Sequence, residues 1–269
     1  MRTLLSIFIG MTESTKKPLI MVVNDDGITA PGIRALITFI LDIGDVFVVA
    51  PNQSMSGMGH AITINSTLRF TKHDGGYVDV EEYSCSGTPV DCVKFGTAVV
   101  ANGRKVDLVV SGINHGQNSS INVIYSGTMS AAIEGAIEGI PSIGFSLCDH
   151  SLDADFSACE SIVKSLVQKT LDKGSLNGYC LNVNIPAIPA EEIKGIKICR
   201  QAKAFWEKDF QERKDPMGNS YYWLAGNFNN QDQGTDTDIW ALENNYVSVV
   251  PTMFDLTAHT AITELKSFE

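Results

Sequence analysis

An α/β fold built as a doubly wound, mainly parallel sheet is predicted by two features of this 269-residue chain. From residue 19 to about 198, short apolar runs alternate with segments whose apolar residues recur every three or four positions, the pattern of βα units. Beyond about residue 198 the alternation gives way to clustered aromatics around a Pro-Met-Gly-Asn turn signal, the pattern of a β-hairpin arm that leaves the main body.

Taken in order, Leu19 to Val23 reads as a buried strand. Ile33, Leu36, Ile37, Ile40 and Leu41 then make one face of a helix beginning at Pro31, a residue suited to the first helical position. Val46 to Ala50 is a second strand ended by Pro51, and Val106 to Ser111 a third after a polar, Gly-rich stretch. A loop over Gly112 to Tyr125 leads into a helix from about Gly127 to Gly139. There Met129, Ala132, Ile133, Ala136 and Ile140 share one face, and Glu134 and Glu138 another. Ser142 to Leu147 is a strand, Ile162 to Leu171 a helix, and Leu181 to Ile185 a strand ending at Pro186. The aromatics Phe205, Trp206, Phe210, Tyr221, Tyr222 and Trp223 mark the arm, which either buries its apolar residues against another subunit or packs on a small core of its own.

With 44% hydrophobic residues the chain can bury a sizeable core, and one large domain with an appendage is the economical reading. We assign residues 1–17 to a leader and 18–269 to a single domain, with 18–198 as core and 199–269 as arm and C-terminal oligomerisation segment. The apolar run within Met1 to Gly10 is too short to span a membrane and lacks a small-residue cleavage site, so a disordered or over-annotated leader is expected, with Met11 a plausible start. A net charge of -11 argues against a nucleic-acid polymer as partner. Six cysteines without a CxxC pair signal neither zinc nor disulfides, as expected of free thiols in a reducing cytoplasm.

In an open α/β sheet ligands gather at the carboxyl ends of the strands. The loops there read Asn24-Asp25-Asp26-Gly27, Asn52 to His60, and Gly112 to Asn118; all are rich in oxygen ligands and glycine, and none holds Lys or Arg. Adjacent carboxylates repel by a few kcal/mol at about 4 Å, and a cation between them removes that penalty. Carboxylate, hydroxyl and amide oxygens suit a hard divalent ion such as Mg²⁺ or Mn²⁺. The bland alternative for Asp-Asp-Gly is a plain turn or cap. Ser126-Gly127-Thr128 opens a helix whose free N–H groups and hydroxyls can hold a phosphate, or where Ser126 simply caps. Thr88, before Pro89-Val90-Asp91, is a further cap candidate. His60 and His115 gain weight over a structural reading only from lying on these loops; His259 does not lie on them.

These motifs together resemble the SurE (survival protein E) family of metal-dependent nucleotidases. The matching stretches are Val23-Asn24-Asp25-Asp26-Gly27-Ile28, Val49-Ala50-Pro51 with Ser56-Gly57, Gly87-Thr88-Pro89 with Asp91, Val109 to Asn114 with Gly116 and Asn118, and Tyr125-Ser126-Gly127-Thr128. Asn182 to Pro186 and Asp255 to His259 continue the likeness, which runs from about residue 18 to the C-terminus. The resemblance implies a Rossmann-like core and one divalent metal per subunit, Mg²⁺ or Mn²⁺, bound by Asp25, Asp26, Ser56 and Asn114. It implies hydrolysis of 5′- and 3′-nucleoside monophosphates, and a homodimer or homotetramer formed through the hairpin and an exchanged C-terminal segment. Asn24, Gly57, His60, Asn118, Ser126, Gly127 and Thr128 are the candidate substrate-binding residues. One departure stands out: Ser120 occupies a position commonly glycine, where it is expected to restrict a backbone bend.

The expected reaction is attack of a metal-activated water on phosphorus, with Asp25 orienting or deprotonating it and Asp26 beside it. A covalent aspartyl phosphate is disfavoured because the Asp-x-Asp spacing would place Asn24 opposite Asp26. Short-chain polyphosphate hydrolysis and non-catalytic nucleotide or metal binding are the alternatives. A dinucleotide-dependent oxidoreductase is disfavoured because Gly57-Met58-Gly59 lacks a third glycine.

Overall fold

A computed structural model describes residues 17–151 and 153–269, so the leader assignment lies outside the described residues except at Lys17. The chain lays down β1 (Leu19–Val23), α1 (Pro31–Ile40), β2 (Asp45–Pro51), β3 (Phe70–His73), β4 (Glu81–Cys85) and α2 (Pro89–Phe95). There follow β5 (Leu108–His115), α3 (Asn122–Tyr125), α4 (Gly127–Ile137), β6 (Ser142–Leu147), α5 (Glu160–Lys173), β7 (Tyr179–Ile185) and β8 (Ile196–Ile198). The last part contains β9 (Ala204–Trp206), β10 (Asp209–Lys214), β11 (Ser220–Ala225), β12 (Phe228–Asn230), α6 (Asp238–Glu243), β13 (Val247–Met253) and α7 (His259–Leu265).

The central sheet has the order β3-β4-β2-β1-β5-β6-β7-β13-β8. Pairings are parallel from β4 through β7, antiparallel at β3 against β4 and β13 against β7. From β1 the chain steps outward to β2 and later returns to the other side of β1 as β5. The strand order therefore reverses between β1 and β5, which opens a crevice at their carboxyl ends.

The sequence Leu-Ile-Met-Val-Val of β1 is wholly buried because helices cover both faces of the sheet. Ile20 and Val22 pack with Ile33, Leu36 and Ile37 of α1 and with Val163 and Leu166 of α5. Leu19, Met21 and Val23 pack on the opposite face with Cys92 and Val93 of α2 and Ala131 of α4. Each such side chain stabilises the fold by about 1.5–3 kcal/mol on burial, so the strand that carries the site is among the best anchored parts of the molecule.

The structure differs from the sequence reading in four places. The polar stretch before residue 106 contains β3 and β4, an edge pair whose half-exposed, charged residues hide the apolar alternation. Within it Glu82 is buried against the Arg34 guanidinium at 2.8 Å. The third anticipated strand runs on to His115, and the helix at 127 ends at Ile137. On that helix Glu134 is buried while Glu138 is exposed, and the Glu134 carboxylate binds Lys94 and His60. The arm, read as one long hairpin, is two antiparallel pairs in series, β9 with β12 and β10 with β11, interrupted at Glu207-Lys208 and Gly226-Asn227. All residues of β10 are exposed, as are all but Ala225 of β11.

Among the described residues no helix is long and apolar enough to cross a membrane. All six cysteines are free.

Candidate active site

The turn after β1 carries the two acids. Asn24 is buried and closes that turn by donating its Nδ2 proton to the Gly27 carbonyl at 2.9 Å. The main-chain N–H of Met55 donates to the Asp25 carbonyl at 2.7 Å, which draws the second loop alongside the first.

Asp25 is only 3% exposed. Its Oδ1 accepts the Thr128 hydroxyl proton, and no side-chain donor reaches its other oxygen among the described residues. Burial, and then the charge of Asp26, push its pKa up to about 6, while hydrogen bonds centred on Thr128 pull the other way. Gly127 permits this closeness: a Cβ there would stand 2.6 Å from the Asp25 Cβ. Asp26 is less enclosed and lies 3.4 Å from His115 Nδ1 and from the His115 N–H.

In the second loop Ser56 and Gly57 are exposed, and the Ser56 hydroxyl is 3.0 Å from that of Ser54. The Gly59 N–H donates to the Tyr125 carbonyl at 3.2 Å, tying this loop to the start of α4. His60 turns to Glu134, with Nε2 to Oε2 at 2.9 Å, and is not part of the cleft wall.

The third segment is shaped by a bulge. Between Ser111 and Asn114 the pairing of β5 with β6 shifts register, and Gly112 takes φ +124 with the Phe145 carbonyl where a Cβ would be. Asn114 then donates its amide protons to the carbonyls of Gly116 at 2.7 Å and His115 at 3.2 Å, which leaves its amide oxygen available. Asn118 is held by a buried polar network: its N–H donates to Asn184 Oδ1 at 2.7 Å, its Nδ2 to Ser146 Oγ at 2.9 Å, and its carbonyl accepts from Asn182. Ser120 keeps the bend that its side chain was expected to restrict, at φ 53. Its hydroxyl donates to the Ala202 carbonyl at 2.8 Å and its N–H to Asp238 at 2.7 Å, contacts that offset the unfavourable backbone.

At the start of α4, the Ser126 hydroxyl accepts the Met129 N–H at 3.0 Å as an N-cap. Thr88 likewise caps α2, in a capping box with Asp91. The hydroxyls of Ser126 and Thr128 are thus engaged within the protein, and an anion at this helix end would meet main-chain N–H groups.

Asp25, Ser56, Gly57, Asn114, Asn118 and Ser126 open onto one cleft of about 460 Å³. Asp26 stands beside it through His115, while Asn24, Gly127 and Thr128 support it from behind. Among the described residues neither Lys nor Arg lines this cleft; its only basic side chains are His115 and His150. Trp206 and Phe228 from the β9–β12 ribbon, with Tyr125 and Asn122, also line it. Sequence reasoning assigned the arm to oligomerisation and passed over His150; no local motif signals that a segment some ninety residues downstream returns to the site.

No cluster of three or more His, Cys, Asp or Glu suited to a metal occurs among the described residues. A cation here would therefore combine two acids with neutral oxygens. The donor set fits a hard divalent ion: two neighbouring carboxylates, one of which burial leaves short of a counter-charge, plus a free amide oxygen and an exposed hydroxyl.

A family model described as survival protein SurE matches residues 20–208. A protein of Flavobacterium psychrophilum named 5′-nucleotidase SurE is 58% identical over 94% of this chain and 98% of its own length. The protein of that name from Bacteroides fragilis is 46% identical over 94% of this chain and 98% of its own. The crystal structure of the SurE protein from Aquifex aeolicus superposes with a TM-score of 0.81 at 40% identity, covering 93% of this chain and 99% of that one.

Proposed function

The chain belongs to the survival protein SurE family, and from that premise we propose that the cleft between the ends of β1 and β5 is where it hydrolyses nucleoside monophosphates. It is a 5′-nucleotidase, a phosphoric monoester hydrolase that depends on a divalent metal. The observation that carries the site is the convergence of Asp25, Ser56 and Asn114 on one cleft, with Asp26 adjoining, at the sheet's switch point.

In our reading Asp25, Asp26, Ser56 and Asn114 hold one Mg²⁺ or Mn²⁺ per subunit. When bound, such an ion supplies the positive charge that polarises a phosphoryl oxygen and acidifies a water. The chain's own residues do the rest. Asp25, fixed by Thr128, orients the attacking water and takes its proton. The main-chain N–H groups that begin α4 receive the phosphate oxygens, aided by the helix dipole. In the same reading His115 and His150, which line the cleft, donate to the departing ester oxygen, and Asn118, held in its buried network, forms part of the wall.

The exposed apolar residues of the arm and tail, among them Phe210, Trp223, Leu256 and Phe268, support burial in a homodimer or homotetramer. Residues 18–269 then act as one domain whose arm and C-terminal segment serve assembly. The free cysteines suit a reducing cytoplasm.

The test is phosphate release from AMP, GMP, 3′-AMP and tripolyphosphate with Mn²⁺ or Mg²⁺ and with chelator. Metal-dependent release from the nucleotides is the expected result. Release that ignores chelator, or that occurs only from tripolyphosphate, would overturn the assignment.

A further inference from the structure

We infer that Trp206, backed by Phe228, forms the nucleobase platform of this cleft and so sets its preference for nucleotides over simpler phosphate esters. The inference rests on the nucleotidase reading and adds to it the residues that recognise the part of the substrate away from phosphorus.

Four observations carry it. First, Trp206 and Phe228 line the same cleft as Asp25, Ser56 and Asn114, so one ligand in that cleft meets both sets of residues. Second, Trp206 is 49% exposed although it is a large apolar side chain in an ordered antiparallel pair, which leaves part of its ring unpartnered in the described residues. Third, its orientation is fixed. The indole Nε1 donates to Asn122 Oδ1 at 2.8 Å, and Phe228 supports it edge to face with centroids 5.4 Å apart. An anchored indole loses little freedom when a flat ligand stacks on it. Fourth, Tyr125 is 53% exposed and also lines the cleft, and its carbonyl accepts the Gly59 N–H of the loop that carries Ser56.

A cleft of about 460 Å³ lined by Asp25, Ser56 and Asn114 together with Tyr125, Trp206 and Phe228 suits a ligand that combines an anionic group with a planar one. Stacking on an aromatic is tolerant of base identity because every base has a π-face, so this platform predicts selection for nucleotides as a class rather than for one base.

The experiment compares kcat and KM for AMP, GMP and ribose 5-phosphate in the wild-type protein and in Trp206→Ala, Trp206→Phe and Asn122→Ala, at saturating Mn²⁺. Trp206→Ala should raise KM for AMP and GMP by roughly 5- to 150-fold, the range that one base–aromatic stack spans, with a smaller change in kcat. Turnover of ribose 5-phosphate should stay within about twofold of wild type, or be undetectable in both. Trp206→Phe should keep most of the nucleotide preference, and Asn122→Ala, which frees the indole, should lose an intermediate part of it. Equal losses on AMP and ribose 5-phosphate in Trp206→Ala, with Trp206→Phe no better, would overturn the platform while leaving the nucleotidase reading intact. A wild-type protein that releases no phosphate from AMP or GMP would instead overturn the nucleotidase reading, and this inference with it.

Discussion

Asp25 combines deep burial with a neighbouring like charge, and each raises the free energy of its ionised form. A pKa near 6 in place of 3.8 means that keeping it ionised in the folded chain costs about 3 kcal/mol without a counter-charge. The sign follows directly. The folded chain binds this proton more tightly than the unfolded one, so without metal the group lowers stability progressively from about pH 4 to pH 6, and the full penalty persists above. A cation that needs the ionised form competes with that proton. Half-maximal activity should therefore require roughly tenfold more Mn²⁺ at pH 5 than at pH 7, measured by titrating the ion at fixed AMP. Thr128→Val, which keeps the shape but removes the hydroxyl donor, should move the acidic limb of the pH–rate profile upward. An unmoved limb would dissociate Thr128 from Asp25. Both acids were legible in the sequence because adjacent carboxylates after a buried strand are costly without a purpose. The hold of Thr128 on Asp25 was not legible, since it spans 103 residues.

At the scale of elements, the site depends on how the loop from Asn52 to His60 is pinned. Its far end is fixed by His60 on Glu134, which also binds Lys94 of α2, so one buried carboxylate joins α2, α4 and the loop that carries Ser56. Glu134→Gln should cost about 1–2 kcal/mol and lower Tm by roughly 2–6 °C, because Lys94 remains half exposed and regains water. Apparent metal affinity should fall with it, by several-fold, as Ser56 loses its support. An unchanged Tm measured by calorimetry would show that the carboxylate is not a tie. Such a tie was invisible in the sequence, where Glu134 and Glu138 shared a polar helix side. By contrast β1, β2, β5, β6, β7 and the helices α1, α4 and α5 were legible, because strands buried on both faces read as continuous apolar runs and their covering helices as three-and-four periodicity. The edge pair β3–β4 was not, since Phe70-Thr-Lys-His and Glu-Glu-Tyr-Ser-Cys85 carry charges at half-exposed positions and bury Glu82 on Arg34.

For the whole molecule, the switch point of the sheet, the bulge in β5 and the returning β9–β12 ribbon meet in one cleft, while the β10–β11 pair projects its aromatics into solvent. If assembly uses that pair, replacing residues 209–225 by a short Gly-Ser turn should lower the mass seen in sedimentation and leave β9 and β12 paired. An unchanged mass would move the interface to the C-terminal segment alone. Whatever the assembly, the proposed reaction needs one cation site in every chain, built on the first two acids after β1. Its most direct test is the binding of Mn²⁺, followed by titration calorimetry, to the wild-type protein and to Asp25→Asn. One Mn²⁺ per wild-type chain, and loss of that site in the variant, is the expected result. Equal stoichiometry and affinity in the two proteins would contradict it.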